Sequence, residues 1–316
     1  MAINFAVIGV GNIGQHHARV ASQSFRYNLV GVVDPDRRRA QEVADRLGSN
    51  AFVSIEELMS HQELDAVSIC VPTSLHKKIA LNCIDKGLHV LVEKPIASTV
   101  EDGEEILKAA KAKGVSMHVG HIERFNPAVL EVKRIIDSGE LGAVNSIVAR
   151  RVGIMPPQIQ DVDIAVDLAI HDIDIICYLF GEQPQSVLGN KQKTILQDRA
   201  DCVEIFFKFS QGSGFIQSNW ITPVKIRRLN VTGTRGYITM DFIEQTVDIY
   251  VGNESLFEVD RIMPYAIAPE PKHTSIKLPK IEPLALELDY FAELIETKNP
   301  GDSQFAIDAL KLALQL

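Results

Sequence analysis

The chain has little with which to build disulfide staples or metal cages. Its 316 residues include four cysteines, Cys70, Cys83, Cys177 and Cys202, none in a C-x-x-C pair and none beside histidines at zinc-ligand spacing. Each lies in an apolar stretch, where a free thiol behaves as a small hydrophobe, so buried thiols and no metal are expected. An excess of positive charge is also lacking. The net charge is −9, and its field repels nucleic acid and anionic membranes. A local cluster of Arg and Lys can still hold an anionic substrate. No apolar run approaches the ~20 residues that span a bilayer. The opening MAINFAVIGVGNIG lacks the basic, apolar and cleavage regions of a secretory signal. The expectation is a cytoplasmic protein without internal repeats or low-complexity tracts.

What is present is an ordinary globular composition, 46% hydrophobic and 23% charged, at a length that suggests roughly two domains. Five short apolar runs, Ile3–Ile8, Asn28–Val33, Ala66–Val71, His89–Val92 and Val115–Val119, alternate with amphipathic segments Ile13–Ser22, Arg37–Leu47, Leu75–Lys86 and Val100–Lys113. Continuous apolar strands alternating with helices predict a doubly wound parallel sheet covered on both faces. After Gly120 the rhythm changes. Asn126–Asp137 reads as a helix. Longer strand-like stretches follow: Val144–Val152, Gln185–Leu188, Val203–Phe209, Gly214–Trp220, Lys225–Thr232, Tyr237–Asp241 and Val247–Val251. A helical segment, Asp167–Leu179, interrupts them. This pattern predicts a largely antiparallel sheet with helices on one face, an α+β domain. Residues 261–283 carry five prolines and are expected to be an irregular connection, with Leu284–Thr297 and Gln304–Leu316 as closing helices. The expected division is 1–121 and 122–316.

Gly9-Val10-Gly11-Asn12-Ile13-Gly14 is a G-x-G-x-x-G between a strand and a helix. Gly9 permits the tight turn, Gly11 lets backbone approach a pyrophosphate, and Gly14 lets helix pack on strand, with the phosphates at the helix N-terminus. Asp34 ends the second strand 20 residues after Gly14, where an acid accepts hydrogen bonds from the adenosine ribose. The alternative is a glycine-rich turn of an unrelated α/β fold. An acid at that position favours NAD over NADP, and Arg37 and Arg38 just behind it soften that preference.

Two further clusters, Val71-Pro72-Thr73-Ser74-Leu75-His76 and Val92-Glu93-Lys94-Pro95, fall where the third and fourth strands end, on the side where open α/β sheets bind ligands. Lys94 is either a surface lysine or a donor to a developing alkoxide. Asp167 and His171, four apart, share one face of a mostly apolar helix, a stripe that Asp174 and Tyr178 continue. They are either a cap with a satisfied core histidine or a general base with an orienting carboxylate. His121 and Arg124, at the passage between the domains, either face the nicotinamide end or belong to a helix's first turn. Arg150, Arg151, Lys225, Arg227 and Arg228 are candidate cations for a diphosphate or else a solvated strand face. Trp220 is either core or a stacking surface.

The glycine loop, Val71-Pro72-Thr73 with His76, and Glu93-Lys94-Pro95 together resemble the glucose–fructose oxidoreductase, inositol dehydrogenase and rhizopine catabolism (Gfo/Idh/MocA) family. The likeness extends to Leu141-Gly142, Asp167–Gly181 and Pro283-Leu284. It implies a Rossmann domain followed by an open, mainly antiparallel sheet for substrate binding and homo-oligomerisation, as a dimer or tetramer. It implies an NAD-dependent oxidoreductase with Lys94, Asp167 and His171 as catalytic residues. The cofactor contacts it implies are Gly9, Gly11, Asn12, Ile13, Gly14, Asp34, Val71, Pro72, Thr73, His76, Glu93, Lys94 and His121. The substrate contacts are Lys94, Glu123, Arg124, Asn126, Asp163, Asp167 and His171. The segments Gly120–Pro127 and Asp167–Asp174 look like a subgroup acting at C3 of UDP-N-acetylglucosamine. Asp161-Val162-Asp163 stands where the family's commoner form has glycines. A free cyclitol or monosaccharide is the alternative substrate. Glycosidic bond cleavage through transient oxidation, and a non-catalytic NAD sensor, are the alternative functions.

Overall fold

A computed structural model describes residues 2–155, 163–252 and 270–316, which form two compact units. The first comprises Met1–Ile122 and Glu282–Lys311, the second Glu123–Ile281 and Leu312–Leu316.

The first unit is built from β1 (Ile3–Ile8), α1 (Gly14–Gln23), β2 (Tyr27–Val33), α2 (Arg37–Leu47), β3 (Ala51–Phe52), α3 (Ile55–His61), β4 (Ala66–Ile69), α4 (Thr73–Asp85), β5 (His89–Glu93), α5 (Val100–Lys113) and β6 (Met117–Gly120). The strands pair in parallel in the order β3-β2-β1-β4-β5-β6. β4 is buried along its whole length, as a strand covered on both faces must be. The helices start and stop where their chemistry dictates. Asp36 caps α2 by accepting from the amides of Arg38 and Arg39, and Gly48, left-handed at φ 66°, ends it.

The second unit contains α6 (Pro127–Asp137), β7 (Val144–Ile154), α7 (Ile170–Phe180), β8 (Ser186–Gln192), β9 (Cys202–Lys208), β10 (Ser213–Asn219), β11 (Ile221–Gly233), β12 (Gly236–Asp241), β13 (Thr246–Val251) and β14 (Lys272–Lys277). Their order is β14-β13-β12-β11-β7-β10-β9-β8, antiparallel except for the β7–β10 pair. Strand alternation sends Ile147, Ala149 and Arg151 into the interior with Ile205, Ile216, Leu229 and Met240, where α6 and α7 pack. On the other face the register aligns Leu188, Phe206, Phe215 and Val148 in one row across β8, β9, β10 and β7. Leu188, Phe206 and Phe215 are exposed.

The expected fold class is the one observed, with three local differences. The closing helix α8 (Pro283–Glu296), expected in the second domain, returns to the first unit. Leu284, Leu288 and Phe291 join Phe5, Val7, Ala18 and Val32 in one core, because α8 supplies the apolar stripe that covers α1. α9 (Gln304–Leu314) places Ile307 against Gly103 of α5. Part of the expected irregular connection is β14, an edge strand in which Ile276 faces Val247; residues 261–269 lie outside the described residues. The two-residue β3 and the seven-residue α3 are too short to announce themselves by periodicity. Among the described residues no helix is long and apolar enough to cross a membrane, and no cluster of His, Cys, Asp or Glu is placed to hold a metal.

Candidate active site

Because all six strands of the first sheet run parallel, their carboxyl ends share one edge. That edge carries the glycine loop after β1, Asp34 after β2, Val71 after β4, and Glu93 and Lys94 at the end of β5. The loop geometry accounts for each glycine. Gly9 sits at φ +85°, and a Cβ there would lie 2.6 Å from the Cys70 carbonyl oxygen. A Cβ on Gly14 would lie 1.8 Å from the Gly9 carbonyl oxygen. A Cβ on Gly11 would meet nothing within 4 Å, so on that side its backbone is bare toward open space. Asn12 and Ile13 are exposed beside it.

Asp34 is 3% exposed. One carboxylate oxygen accepts from the Val10 amide at 3.1 Å and the other from the Asp36 amide at 3.0 Å, which ties the end of β2 to the glycine loop. Arg39 reaches both oxygens at 3.3 Å. A cleft of about 360 Å³ opens here, lined by Val10, Gly11, Asn12, Gln15, Arg39, Glu42, Val43 and Arg46. A bare backbone, a helix N-terminus and a fixed acid beside a cleft fit a dinucleotide's pyrophosphate and adenosine ribose. Arg39 is the basic residue that meets Asp34. Arg37 and Arg38, singled out from sequence, are exposed, with Arg37 near Glu57 and Arg38 near Glu42.

The remaining predicted cofactor residues divide. Val71, Pro72 and Thr73 stand at the N-terminus of α4, Pro72 as its cap, and Val71 packs on Gly9. His76 is buried with its ring nitrogens each 2.9 Å from a carbonyl oxygen, of Pro95 and of Val71, and so ties two loops together. His121 is buried, its ring edge-on to Phe305 at 5.3 Å. Glu93 faces inward: one oxygen accepts from His17 Nε2 at 2.8 Å and the other from the Lys94 amide at 3.1 Å.

In the second unit the helix bearing Asp167 and His171 begins as a π-helical turn, Ala165–Ala169, and continues as α7. Such widened turns recur at functional sites. The sequence pattern predicted one regular helix, because its apolar spacing does not register the wider turn. Asp172, on the buried side of α7, receives a two-pronged hydrogen bond from Arg151 at 2.9 Å and 2.9 Å, and Arg151 also donates to Glu123 at 2.7 Å. Burial pushes the Asp172 carboxyl above its usual range despite Arg151. Arg124 forks onto Asp174 at 2.8 and 2.7 Å and lies over the Tyr178 ring.

The four residues expected to contact substrate in this stretch also have partners within the unit. Glu123 accepts from Arg151, and Arg124 donates to Asp174. Asn126 is buried, caps α6 through the Ala128 amide and donates to the Phe242 carbonyl. Asp163 caps the π-turn through the amides of Ala165 and Val166 and pairs with Lys191 at 2.9 Å. Asp161 and Val162 lie outside the described residues. A polar stretch in sequence looks the same whether it faces substrate or a buried counter-charge; only the partners' locations separate the two. The stripe on α7 divides accordingly, with Asp174 and Tyr178 holding Arg124 and Asp167 and His171 half-buried.

The candidate diphosphate cations fall on two faces of the sheet. Arg151 pairs across strands with Arg227 and Arg150 with Arg228, and opposed residues share a face. Arg151 is already neutralised by its carboxylates. Arg228, on the outer face, pairs with Asp241. Arg227 stands on the inner face, donating to the Val152 carbonyl at 2.6 Å. Burial, with Arg151 adding like charge, lowers its guanidinium to about 10. Trp220 is buried.

Comparison with known proteins agrees with both halves of this description. A profile of the "oxidoreductase family, NAD-binding Rossmann fold" matches residues 3–121, and the "GFO/IDH/MocA C-terminal domain" matches residues 129–239. The chain belongs to the Gfo/Idh/MocA oxidoreductase family and is an NAD-dependent oxidoreductase. It is 30% identical over 295 residues to the UDP-N-acetylglucosamine 3-dehydrogenase of Acidithiobacillus ferrooxidans, covering 93% of this chain and 89% of that protein. A solved structure of that enzyme, GnnA, superposes with TM-score 0.87 at 28% identity, covering 100% of this chain and 96% of the other. The chain is also 30% identical over 271 residues to the scyllo-inositol 2-dehydrogenase (NAD(+)) of Bacillus subtilis, covering 81% and 79%.

Proposed function

We propose that this protein oxidises the C3 hydroxyl of UDP-N-acetylglucosamine to the 3-keto sugar, with Lys94, Asp167 and His171 as its catalytic residues. The observation that carries the reading is the likeness to a UDP-N-acetylglucosamine 3-dehydrogenase along 93% of the chain. NAD+, when bound, supplies the two-electron acceptor for the hydrogen leaving C3. His171 takes the hydroxyl proton and Asp167 orients its ring. The Lys94 ammonium steadies the negative charge that grows on the oxygen. The sugar loses two hydrogens in all, and His171 returns its proton to water. Arg227 is the cation best suited to the diphosphate, since the other inner-face arginine, Arg151, is already paired. The exposed row of Leu188, Phe206 and Phe215 suits a homo-oligomer interface, because a solvated apolar row of this kind marks a contact surface.

Incubation with NAD+ and a panel of UDP-N-acetylglucosamine, UDP-glucose, myo-inositol and scyllo-inositol tests the substrate. The proposal expects NADH with the first and little with the others. The likeness to scyllo-inositol 2-dehydrogenase supports the second reading. NADH from a free inositol, uninhibited by UDP, favours that reading and refutes ours.

A further inference from the structure

We propose that His17 is a positioning residue for the reaction, clamping Glu93 and thereby the Lys94 backbone to the helix that begins at the glycine loop. The inference rests on the assignment of Lys94 to the chemistry.

His17 stands three residues beyond Gly14 on α1 and is 0% exposed. Its Nε2 lies 2.8 Å from Glu93 Oε1, and its Nδ1 lies 2.8 Å from Ser68 Oγ on β4. Ser68, buried in turn, has its hydroxyl 3.4 Å from Cys70 Sγ. The second oxygen of Glu93 accepts from the Lys94 amide at 3.1 Å. One chain of polar contacts therefore joins α1, β4 and β5 just inside the edge where the cofactor residues lie. On the remaining side, Gly120 leaves room for the carboxylate; a Cβ there would sit 3.1 Å from Glu93 Oε1. Glu93 is thus located by His17, by the Lys94 amide and by the bare face of Gly120.

An imidazole and a carboxylate buried between a helix and a sheet are a costly way to hold two elements together, and well-packed apolar side chains commonly do it as well or better. What the polar pair adds is direction. The hydrogen bonds set the orientation of the Glu93 carboxylate, and that carboxylate holds the first peptide N–H beyond β5, the one that belongs to Lys94. Electrostatics favours the charged form of each partner. Against the cost of burial, Cys70 and Glu93 hold the His17 imidazole well above its usual range, and His17 holds Glu93 below its own. Reactions of oriented groups are sensitive to such positioning, a displacement of about 1 Å costing on the order of 100-fold in rate.

The test uses the full-length protein as His17→Leu, His17→Gln, Lys94→Met and the double variant His17→Leu/Lys94→Met. Each is measured for kcat, sugar KM, NAD+ dissociation constant by calorimetry, and Tm. H17L is expected to lose roughly 10- to 100-fold in kcat, while sugar KM and NAD+ affinity stay within about threefold, a change below 1 kcal/mol. H17Q, which keeps a donor toward Glu93, is expected to recover most of the rate. The double variant is expected to be no slower than K94M, because nothing remains to position. Unchanged kcat in H17L overturns the inference. So does an equal loss in H17Q, or a further loss in the double variant. If H17L does not fold, H17Q against the wild type decides: a rate near wild type supports the clamp, and a collapse refutes it. Full turnover by K94M marks failure of the Lys94 assignment instead, and is read separately.

Discussion

Two glycines of the nucleotide loop, three residues apart, should fail in opposite ways when each is given a methyl group. In Gly14→Ala the new Cβ would lie 1.8 Å from the Gly9 carbonyl oxygen, where ordinary contact begins at 3.4 Å. Helix α1 and the loop must then part by roughly 1.5 Å, more than a close-packed interior yields without loss. Overpacking of this kind costs about 1–3 kcal/mol or more, which corresponds to a Tm fall of roughly 5–10 °C for a unit of this size. In Gly11→Ala the Cβ meets nothing within 4 Å. Stability should therefore stay within about 0.5 kcal/mol. The methyl instead occupies the space in front of the bare backbone, where the pyrophosphate approaches. NAD+ affinity should fall at least about 100-fold, equivalent to about 2.7 kcal/mol. Differential scanning calorimetry and NAD+ titration on the two variants measure both quantities. A G11A protein that binds NAD+ like wild type, or a G14A protein that melts like wild type, would refute this account of the loop.

Other perturbations follow from the same geometry. Lys94→Met should cut kcat by about 100-fold or more, the scale of losing a donor to a developing oxyanion, and leave the NAD+ dissociation constant nearly unchanged in a binding titration. Arg151→Met strands the buried Asp172 carboxylate and the half-buried Glu123 and should cost about 3–5 kcal/mol in a denaturant melt; a loss below 1 kcal/mol would show that the fork carries little. The His17–Glu93 pair stabilises the fold in a defined pH window. Glu93, lowered from 4.5, contributes fully above that value and less as pH falls. His17, raised from 6.5, contributes fully below that value and loses its contribution as pH rises toward its folded pKa. The stability gap between wild type and H17L should therefore be widest between pH 4.5 and 6.5 and narrow on either side. Asp34→Ser releases Arg39 from Asp34, leaving Asp36 as its carboxylate neighbour, and should raise the kcat/KM for NADP+ relative to NAD+; an unchanged ratio would separate Arg39 from cofactor choice.

How much was legible beforehand depended on the range of the signal. The glycine loop and Asp34 are local patterns whose spacing reflects one turn and one crossover, and both are where they were expected. The apolar runs of β1, β2, β4, β5 and β6 were readable because strands covered on both faces cannot hide their hydrophobicity. The return of α8 to the first unit was not readable. An amphipathic stripe such as Leu284, Leu288 and Phe291 announces that something will cover it without saying what. Charged residues were hardest. Glu123, Arg124, Asn126 and Asp163 were read as ligand contacts, and the structure gives them partners that the sequence did not announce: Arg151, Asp174, a helix end and Lys191. His17 sent no signal at all, because one histidine on a helix face means nothing until Glu93, 76 residues away, is seen beside it.

The claim on which the account turns is that the hydrogen at C3 of a nucleotide sugar leaves for NAD+. UDP-N-acetylglucosamine deuterated at C3, incubated with the protein and NAD+, followed by mass spectrometry of both products, measures this directly. The account predicts NADH carrying one deuterium in equal amount with a keto sugar that has lost it. Unlabelled NADH, or a sugar that keeps its deuterium while NADH forms, would contradict it.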